Sequence, residues 1–473
     1  MDEMDETMAE ETTALIPKPR EPTPTPLPKL QLAIIMFVQI CEPTAGQSIY
    51  PYINQLISEL DITGGDPRKV GYYAGLESLF YITEAATVLQ WSRASDWVGR
   101  KPILLIGLFG TTLSMLCFGL SRTFWMLVSL SDGIVERKCI MKSVLADLTD
   151  RSNRAQAVAF VPIVWDLGSA LGMFLGGQLS QPQRRFPKLF PGKFWGEYQY
   201  FLPALASASL VFFSALIVLF LFKETAPGKI RRTPEPHALD EPEGPSSDSS
   251  SDLPATKVTL RQLITFPVVI SVSNYIALAF LSIALAALVP LFFATPIEIG
   301  GLGLAPPKIG LIMAIQSISI GVFQLFFFAK ITRRFGERAV MIVGMSMYPI
   351  IFALIPVIGA TAQQSGLSAF VWILIACMLS LNVLADMCYG VVWMFLTSSA
   401  PKESRGAVNG LGQTSVSVAR AIGPAFSTSL FAVSAERHLL GGYAVYVILG
   451  TIGIGSVMLA RYLPTEMWEE EEL

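Results

Sequence analysis

The stretch that decides the fold is Trp91-Ser92-Arg93-Ala94-Ser95-Asp96-Trp97-Val98-Gly99-Arg100-Lys101-Pro102. It lies between two apolar runs, each close to the ~20 residues that a helix needs to cross the hydrocarbon core of a bilayer. Gly99 permits a chain reversal, and Arg100 and Lys101 favour the cytosolic side of a membrane. Asp96 can meet a helix N-terminus, where a carboxylate is favoured by roughly 0.3–1 kcal/mol. The stretch therefore predicts a tight polar loop between two membrane helices.

The composition extends this prediction to the whole chain. Of 473 residues, 52% are hydrophobic and 15% are charged, and the mean hydropathy is +0.52. These values leave too little polar surface for a soluble globule of this size. Apolar runs recur along the chain, and most reach the roughly 17–25 residues of a membrane helix. We therefore predict an all-α integral membrane protein.

The apolar runs fall into two sets of six, which predicts twelve transmembrane helices in two six-helix halves. The predicted spans are 32–53, 71–90, 102–120, 125–146, 155–179, 199–222, 264–292, 308–330, 339–359, 370–396, 405–431 and 441–461.

The polar segments divide the chain into halves and tails. Residues 223–262 are rich in Pro, Ser and charge, and such a segment buries too little apolar surface to offset its ordering entropy. The predicted regions are a disordered cytosolic tail (1–30), a first half (31–222), a disordered cytosolic linker (223–262), a second half (263–462) and an acidic cytosolic tail (463–473).

Cations concentrate on one side of the predicted spans, which places both termini in the cytosol. The loop after span 5 is an exception, because it carries Arg184, Arg185, Lys188 and Lys193 on the opposite side. The pattern does not choose between the plasma membrane and the vacuolar membrane.

The loop at 91–101 resembles the loop between spans 2 and 3 of major facilitator superfamily transporters, Gly-x-x-x-Asp-Arg-x-Gly-Arg-Lys. Ser92 replaces the usual glycine and Trp97 the usual arginine, while Trp91 is similar to the Trp-led form of zinc-induced-facilitator-like carriers and fungal drug:proton antiporters. A degenerate copy without the carboxylate follows at 330–338. The resemblance implies the major facilitator fold, alternating access, and a conformational latch formed by Asp96 with Gly99, Arg100 and Lys101.

Span 5 contains Gly168, Gly172, Gly176 and Gly177, similar to the family's antiporter motif Gly-x-x-x-Gly-Pro-x-x-Gly-Gly. Met173 stands where the family has proline. Glycines four residues apart also let any two membrane helices approach closely. The resemblance favours antiport, with symport and uniport left open.

Ionisable side chains inside the apolar runs are the candidates for proton coupling. A charged group in hydrocarbon is costly unless it is paired or faces a water-filled cavity. The candidates are Glu42, Glu84, Asp386 and Arg420, and Asp166 adds a further acid in span 5. We expect Glu42 to bind the coupling proton, with Arg420 and Asp386 as electrostatic partners. The alternative for Glu42 is a hydrated carboxylate near a helix end.

The sequence thus predicts a secondary active transporter of a small molecule, namely a proton-coupled antiporter of a drug-like organic solute or ion, as in multidrug resistance. The sequence contains no recognisable catalytic motif, so we do not expect an enzyme. We also expect no cofactor, no metal and no nucleic acid partner. We expect a monomer whose partners are its substrate, protons and the bilayer. Residues 129–141 depart from the family pattern in span 4. The alternative function is therefore a transport-inactive sensor or scaffold of the same fold. The departure could also come from an error in the gene model that covers these residues.

Overall fold

The computed structural model describes residues 28–75, 77–131, 154–225, 265–401 and 404–465, together with residues 141, 144–145, 147–149 and 468. The predicted linker beyond residue 225, both tails and the atypical stretch of span 4 lie outside these residues for the most part. The side chains of Glu84 and Asp96 also lie outside the description.

The described chain is helical and contains no strand. The long helices are α1 (Lys29–Gln47), α2 (Glu77–Val98), α3 (Arg100–Gly119), α4 (Phe124–Ser131), α5 (Arg154–Leu179), α6 (Phe201–Leu221), α7 (Phe266–Ala294), α8 (Pro306–Phe323), α9 (Glu337–Ser365), α10 (Ala369–Ser398), α11 (Arg405–Glu436) and α12 (Ala444–Ala460). Short helices occupy Ile53–Glu59, Val70–Ala74, Pro182–Arg185, Lys193–Glu197 and Ala329–Phe335. One π-helical turn, Gln324–Phe328, continues α8 into the last of these.

Eight of the described helices, α3 and α5 to α11, are long and apolar enough to cross a membrane; α8 is taken through to Phe335. The shorter helix α12 is also apolar. This confirms the predicted all-α, multi-pass membrane fold, while the number twelve stays a prediction. The first helix ends at Gln47, earlier than predicted, and the chain turns at Tyr50 and Pro51 before Ile53–Glu59 begins.

Glycines bring α5 close to α1 within the first half. A Cβ atom on Gly168 would lie 2.5 Å from the carbonyl oxygen of Ile40, and one on Gly172 or Gly176 would collide with the backbone at Thr44 or Ser48. These contacts advance together along both helices, so α1 and α5 run parallel. Lipid offers little hydrophobic drive for helix association, so this close packing is what holds the pair.

Among the described residues, the first half packs on the second mainly through α2 and the short helix Val70–Ala74 against α11, and through α5 against α8. We call the end of the molecule that carries the 91–101 loop the loop end, and the opposite end the far end. The hydroxyl of Tyr72, in the short helix before α2, donates to Glu436 of α11 at 2.8 Å, and the amide of Ala425 of α11 donates to Ser78 Oγ of α2 at 2.9 Å.

The α5–α8 interface closes at the same end of the molecule. Gln178 Nε2 donates to the carbonyl of Pro307 at 3.0 Å. A Cβ on Gly177 would lie 2.7 Å from the carbonyl oxygen of Pro306 and 2.9 Å from Cα of Gly310.

At the loop end, by contrast, two large aromatic side chains are exposed. Trp97, near the end of α2, is 88% exposed, and Phe335, at the end of the α8 extension, is 62% exposed. The interfaces just described lie towards the far end of their helices. Among the described residues, the contacts between the halves therefore lie towards the far end, so we call the far end closed and the loop end open.

Candidate functional site

The loop after α2 is built around the N-terminus of α3. Gly99 caps this helix with φ +115° and ψ 157°, a conformation that is essentially limited to glycine. The backbone amides of Arg100 and Lys101 donate to the two carboxylate oxygens of Glu224 at 2.8 and 3.1 Å, and Lys101 Nζ donates to the carbonyl of Phe222 at 2.7 Å. A carboxylate therefore does meet a helix N-terminus here, and it comes from the end of the first half.

The side chain of Arg100 ties three segments together. Its Nη1 donates to Ser95 Oγ of α2 at 2.7 Å, and its Nε pairs with Asp147 at 3.2 Å. Arg100 itself is only 9% exposed. A buried charged hydrogen bond of this kind is stronger than a neutral one and fixes the geometry of the loop. The predicted latch residue Asp96 lies next to this network in sequence, and its side chain is outside the described part.

The degenerate second copy of the loop has the same backbone. Gly336 caps α9 with φ +80° and ψ 155°. Arg338, two residues later, donates through Nη1 to Thr465 at 2.9 Å and through Nη2 to the carbonyl of Arg461 at 2.6 Å. The two loops therefore share a turn geometry but anchor it with different partners.

Glu42 lies in the last third of α1, directly before the buried Pro43, and is half-buried. Residues 40, 44 and 48 face α5, and a step of two residues turns a helix by about 200°, so Glu42 is on the side away from α5. The glycines of the predicted antiporter motif therefore fix the position of the helix that carries this carboxylate.

Two aspartates from different halves come together where α8 passes between α5 and α10. A Cβ on Gly321 of α8 would lie 3.2 Å from the carboxylate of Asp166, and Gln324, in the π-helical turn that follows, donates to Asp386 at 2.5 Å. The two carboxyl groups are close enough to interact electrostatically. We call Asp166 and Asp386 the carboxylate pair.

Among the described side chains, the polar neighbours of Arg420 of α11 are tyrosines. Its guanidinium hydrogen-bonds with Tyr389 of α10, and Tyr275 of α7 and Tyr81 of α2 lie within electrostatic range of it. Tyr275 is buried. We call these four residues the arginine–tyrosine cluster. Like the carboxylate pair, it contains groups from both halves.

The structure brings some of the predicted site residues together and leaves others apart. Asp386 and Tyr389 are one turn apart on α10, so Asp386 and Arg420 share a neighbour, although they form no ion pair in this conformation. Glu42 belongs to neither group. No group of three or more potential metal ligands occurs among the described residues.

Sequence reasoning missed three features. Glu224 could have been found as a carboxylate directly after the sixth apolar run, beside the cations of the loop. Gln324 is a polar residue within an apolar run, but its reach to Asp386 depends on a π-helical turn that has no sequence signature. The tyrosines of the cluster are indistinguishable in sequence from ordinary packing residues.

The chain matches the Major Facilitator Superfamily over residues 35–424. It is 29% identical to the major facilitator-type transporter psiT2 of Psilocybe cyanescens, with 95% of this chain and 93% of that protein covered. It is 26% identical to the multidrug transporter mfsB of Aspergillus fumigatus (94% and 84% covered). It is also 26% identical to the protein Zinc Induced Facilitator-Like 1 of Arabidopsis thaliana, with 91% of each covered.

The fold is similar to solved transporters at much lower identity. The structure of the human organic anion transporter MFSD10 superimposes with a TM-score of 0.58 at 16% identity, over 92% of this chain and all of that one. A bacterial homolog of the human lysosomal transporter Spinster, in an inward-facing and occupied conformation, gives 0.63 at 14% identity, with 93% and 96% covered. Because the sequence match extends over well more than half of the residues, this chain belongs to the Major Facilitator Superfamily.

Proposed function

We propose that this transporter exports a drug-like organic solute by alternating access, in exchange for protons. The observation that carries the proposal is the arrangement of the two interfaces between the halves. Both are closed at the far end, and each ends in ionisable groups, Asp166 at the α5–α8 interface and Arg420 at the α2–α11 interface. Groups placed there can respond to a proton or a ligand and change how the halves pack.

Proton coupling is assigned to Glu42 and Asp386. Carboxylates in a membrane interior are costly when charged, so their protonation state is sensitive to access from either side. Asp386 contacts α8 through Gln324, and Glu42 sits on the helix held by the glycine row of α5. Loading or releasing a proton at either position alters contacts that reach another helix.

The similarity to related transporters supports the proposed direction of transport and the proposed class of substrate. The relative mfsB is named a multidrug transporter, and the glycines of α5 are similar to the family's antiporter motif. We place the loop end in the cytosol, so that the open side takes up solute from the cytosol. Asp96 acts as the latch that closes this side after loading.

The test is transport in proteoliposomes with and without a pH gradient, using tetraphenylphosphonium and naphthalene-2-acetate as probes. Glu42→Gln and Asp386→Asn should each lose gradient-driven accumulation and keep exchange of labelled for unlabelled probe, because exchange needs no net proton movement. Glu298→Gln, an exposed carboxylate at the far end, is the control and should behave as the wild type. Full gradient-driven accumulation by Glu42→Gln would show that Glu42 is not the proton site.

A further inference from the structure

Arg420 is a cation within an apolar helix, and among the side chains that the structure describes it pairs with no carboxylate. The ion pairs between side chains that the structure describes in full are Arg100–Asp147 and Arg122–Glu197, both elsewhere. An arginine at this depth persists only where something offsets its charge or where it lines a cavity. The neutral hydroxyl of Tyr389 gives it a hydrogen bond but no opposite charge.

The surroundings of Arg420 are suited to an anion. A guanidinium presents parallel donors that match a carboxylate or phosphate, and these are the stronger kind of hydrogen bond. Tyr81, Tyr275 and Tyr389 carry hydroxyl groups that can donate to the same anion, because a phenol is both donor and acceptor. The cluster therefore offers a fixed positive charge and additional donors from three helices.

The position of the cluster is that of a ligand site between the halves. Along the antiparallel α2–α11 interface, Gly75 and Ser78 contact Ala425, and Tyr81, one turn nearer the loop end, reaches Arg420. Arg420 thus lies on the loop-end side of the described contacts between α2 and α11. A ligand bound there would contact both halves.

Apolar and aromatic groups continue from Arg420 along α11. Gly423 is packed against Ile283 of α7, and the rings of Phe426 and Phe280 are 5.8 Å apart. Aromatic groups of this kind pack well against a flat hydrocarbon body. Apolar and aromatic groups therefore lie within two turns of Arg420, on α11 and on the facing helix α7.

We propose that Arg420, with Tyr389, Tyr275 and Tyr81, binds the acidic group of the substrate, which is an organic anion with an aromatic body. The proposal deepens the proposed function and rests on it for the statement that this ligand is transported. Binding itself does not depend on proton coupling. The same anion chemistry occurs in phospholipid headgroups, so the test must separate the two sources.

The experiment measures binding to purified full-length protein in uncharged detergent, from ligand-induced shifts in melting temperature over a concentration series. Three probes share the naphthalene ring and carry an anionic, a neutral or a cationic end group of similar size: naphthalene-2-acetate, its amide, and 2-(2-naphthyl)ethylamine. The acid should bind, and the amide and amine should bind at least about tenfold more weakly, as expected for loss of a charged hydrogen bond. Arg420→Gln should weaken acid binding by the same factor and leave weak amide binding unchanged.

Two further variants distinguish a ligand contact from a structural role. Arg420→Lys should restore part of the acid binding, because the charge is retained without the paired donors. Arg437→Gln removes an exposed arginine just beyond the end of the same helix and should bind the acid as the wild type does. If Arg420→Gln does not fold, Tyr389→Phe tests the same site through its hydroxyl and should weaken acid binding selectively.

Three results would overturn the proposal. The acid and the amide could bind equally well to the wild type, or the acid could bind unchanged to Arg420→Gln. Dihexanoyl phosphatidylglycerol could also displace the acid from the wild type and bind through Arg420 in its place, which would assign the site to a lipid. Acid binding that depends on Arg420, without any proton-coupled transport, would instead contradict the proposed function alone.

Discussion

Gly99 and Gly336 adopt nearly the same backbone conformation at the starts of α3 and α9, but their surroundings differ. A Cβ on Gly99 would lie 2.6 Å from a carboxylate oxygen of Glu224, whereas a Cβ on Gly336 would meet nothing within 4 Å. Both Gly→Ala changes should cost about 1–3 kcal/mol of backbone strain. Gly99→Ala should lower the melting temperature further, because it also displaces Glu224. Equal losses in the two variants, measured by thermal unfolding in detergent, would show that the Glu224 contact adds nothing.

Glu224 is the residue that holds the N-terminus of α3. Replacing a charged acceptor of two backbone amides should cost about 1–3 kcal/mol, so Glu224→Gln should melt at a clearly lower temperature. Glu197→Gln is the control, because Glu197 forms an exposed ion pair with Arg122 and surface pairs contribute little. A melting curve of Glu224→Gln that coincides with that of the control contradicts this role.

At the scale of single residues, sequence reasoning found the loop because its chemistry is local. Gly99, Arg100 and Lys101 act through backbone conformation and through neighbours near in sequence, such as Ser95. The partners Glu224 and Asp147 come from distant segments, and only packing brings them to α3. The same limit applies to Arg420, whose described polar neighbours are tyrosines from three other helices.

The α5–α8 interface depends on two facing glycines. Gly177→Ala would place a methyl group against the backbone of Pro306 and Gly310, so it should weaken the closed far end and favour a conformation that is open there. Accessibility of a cysteine introduced at Gln178 to a membrane-impermeant thiol reagent should increase. Gly455→Ala on α12 is the control, because its methyl group meets nothing within 4 Å. Unchanged accessibility in Gly177→Ala would mean that this interface does not open.

At the scale of helices, periodicity and length predicted the apolar elements, and the parallel packing of α1 and α5 agrees with the glycine spacing on α5. The π-helical turn at Gln324–Phe328 was not predicted. A π turn adds one residue to a helical turn at an energetic cost and is stabilised by its tertiary contacts, and here Gln324 reaches Asp386 while Phe328 packs on Gly390. Such a feature is decided by the neighbouring helix, which a linear pattern does not contain.

We predict that the protein converts between a conformation that is open at the loop end and one that is open at the far end. Spin labels at positions 97 and 335 report the loop end, and labels at positions 69 and 437 report the far end, in a variant whose native cysteines are replaced. On conversion, the loop-end distance should shorten as the far-end distance lengthens, measured by electron–electron double resonance. Asp96→Asn should shift the populations towards the open loop end. Distances that change at one end alone contradict alternating access, and unchanged populations in Asp96→Asn contradict the latch.

At this scale, the class of fold followed from composition and from the repeated loop, because both are properties of the sequence as a whole. The conformation did not, since one sequence must support at least two packings of its halves for transport. Which interface is closed depends on small differences in free energy between them, and these are set by contacts such as Tyr72 with Glu436 and Gln178 with Pro307.

The most direct test of the account is ligand-driven proton movement in proteoliposomes that contain the purified protein and a trapped pH-sensitive dye. The vesicles are challenged in turn with organic cations, aromatic acids and metal ions. If the protein exchanges aromatic acids for protons, the dye will report a pH change that requires both the protein and an aromatic acid and that is lost in Glu42→Gln. No pH change with any of these compounds, while one of them still raises the melting temperature, would contradict transport and identify the protein as a ligand sensor of the same fold.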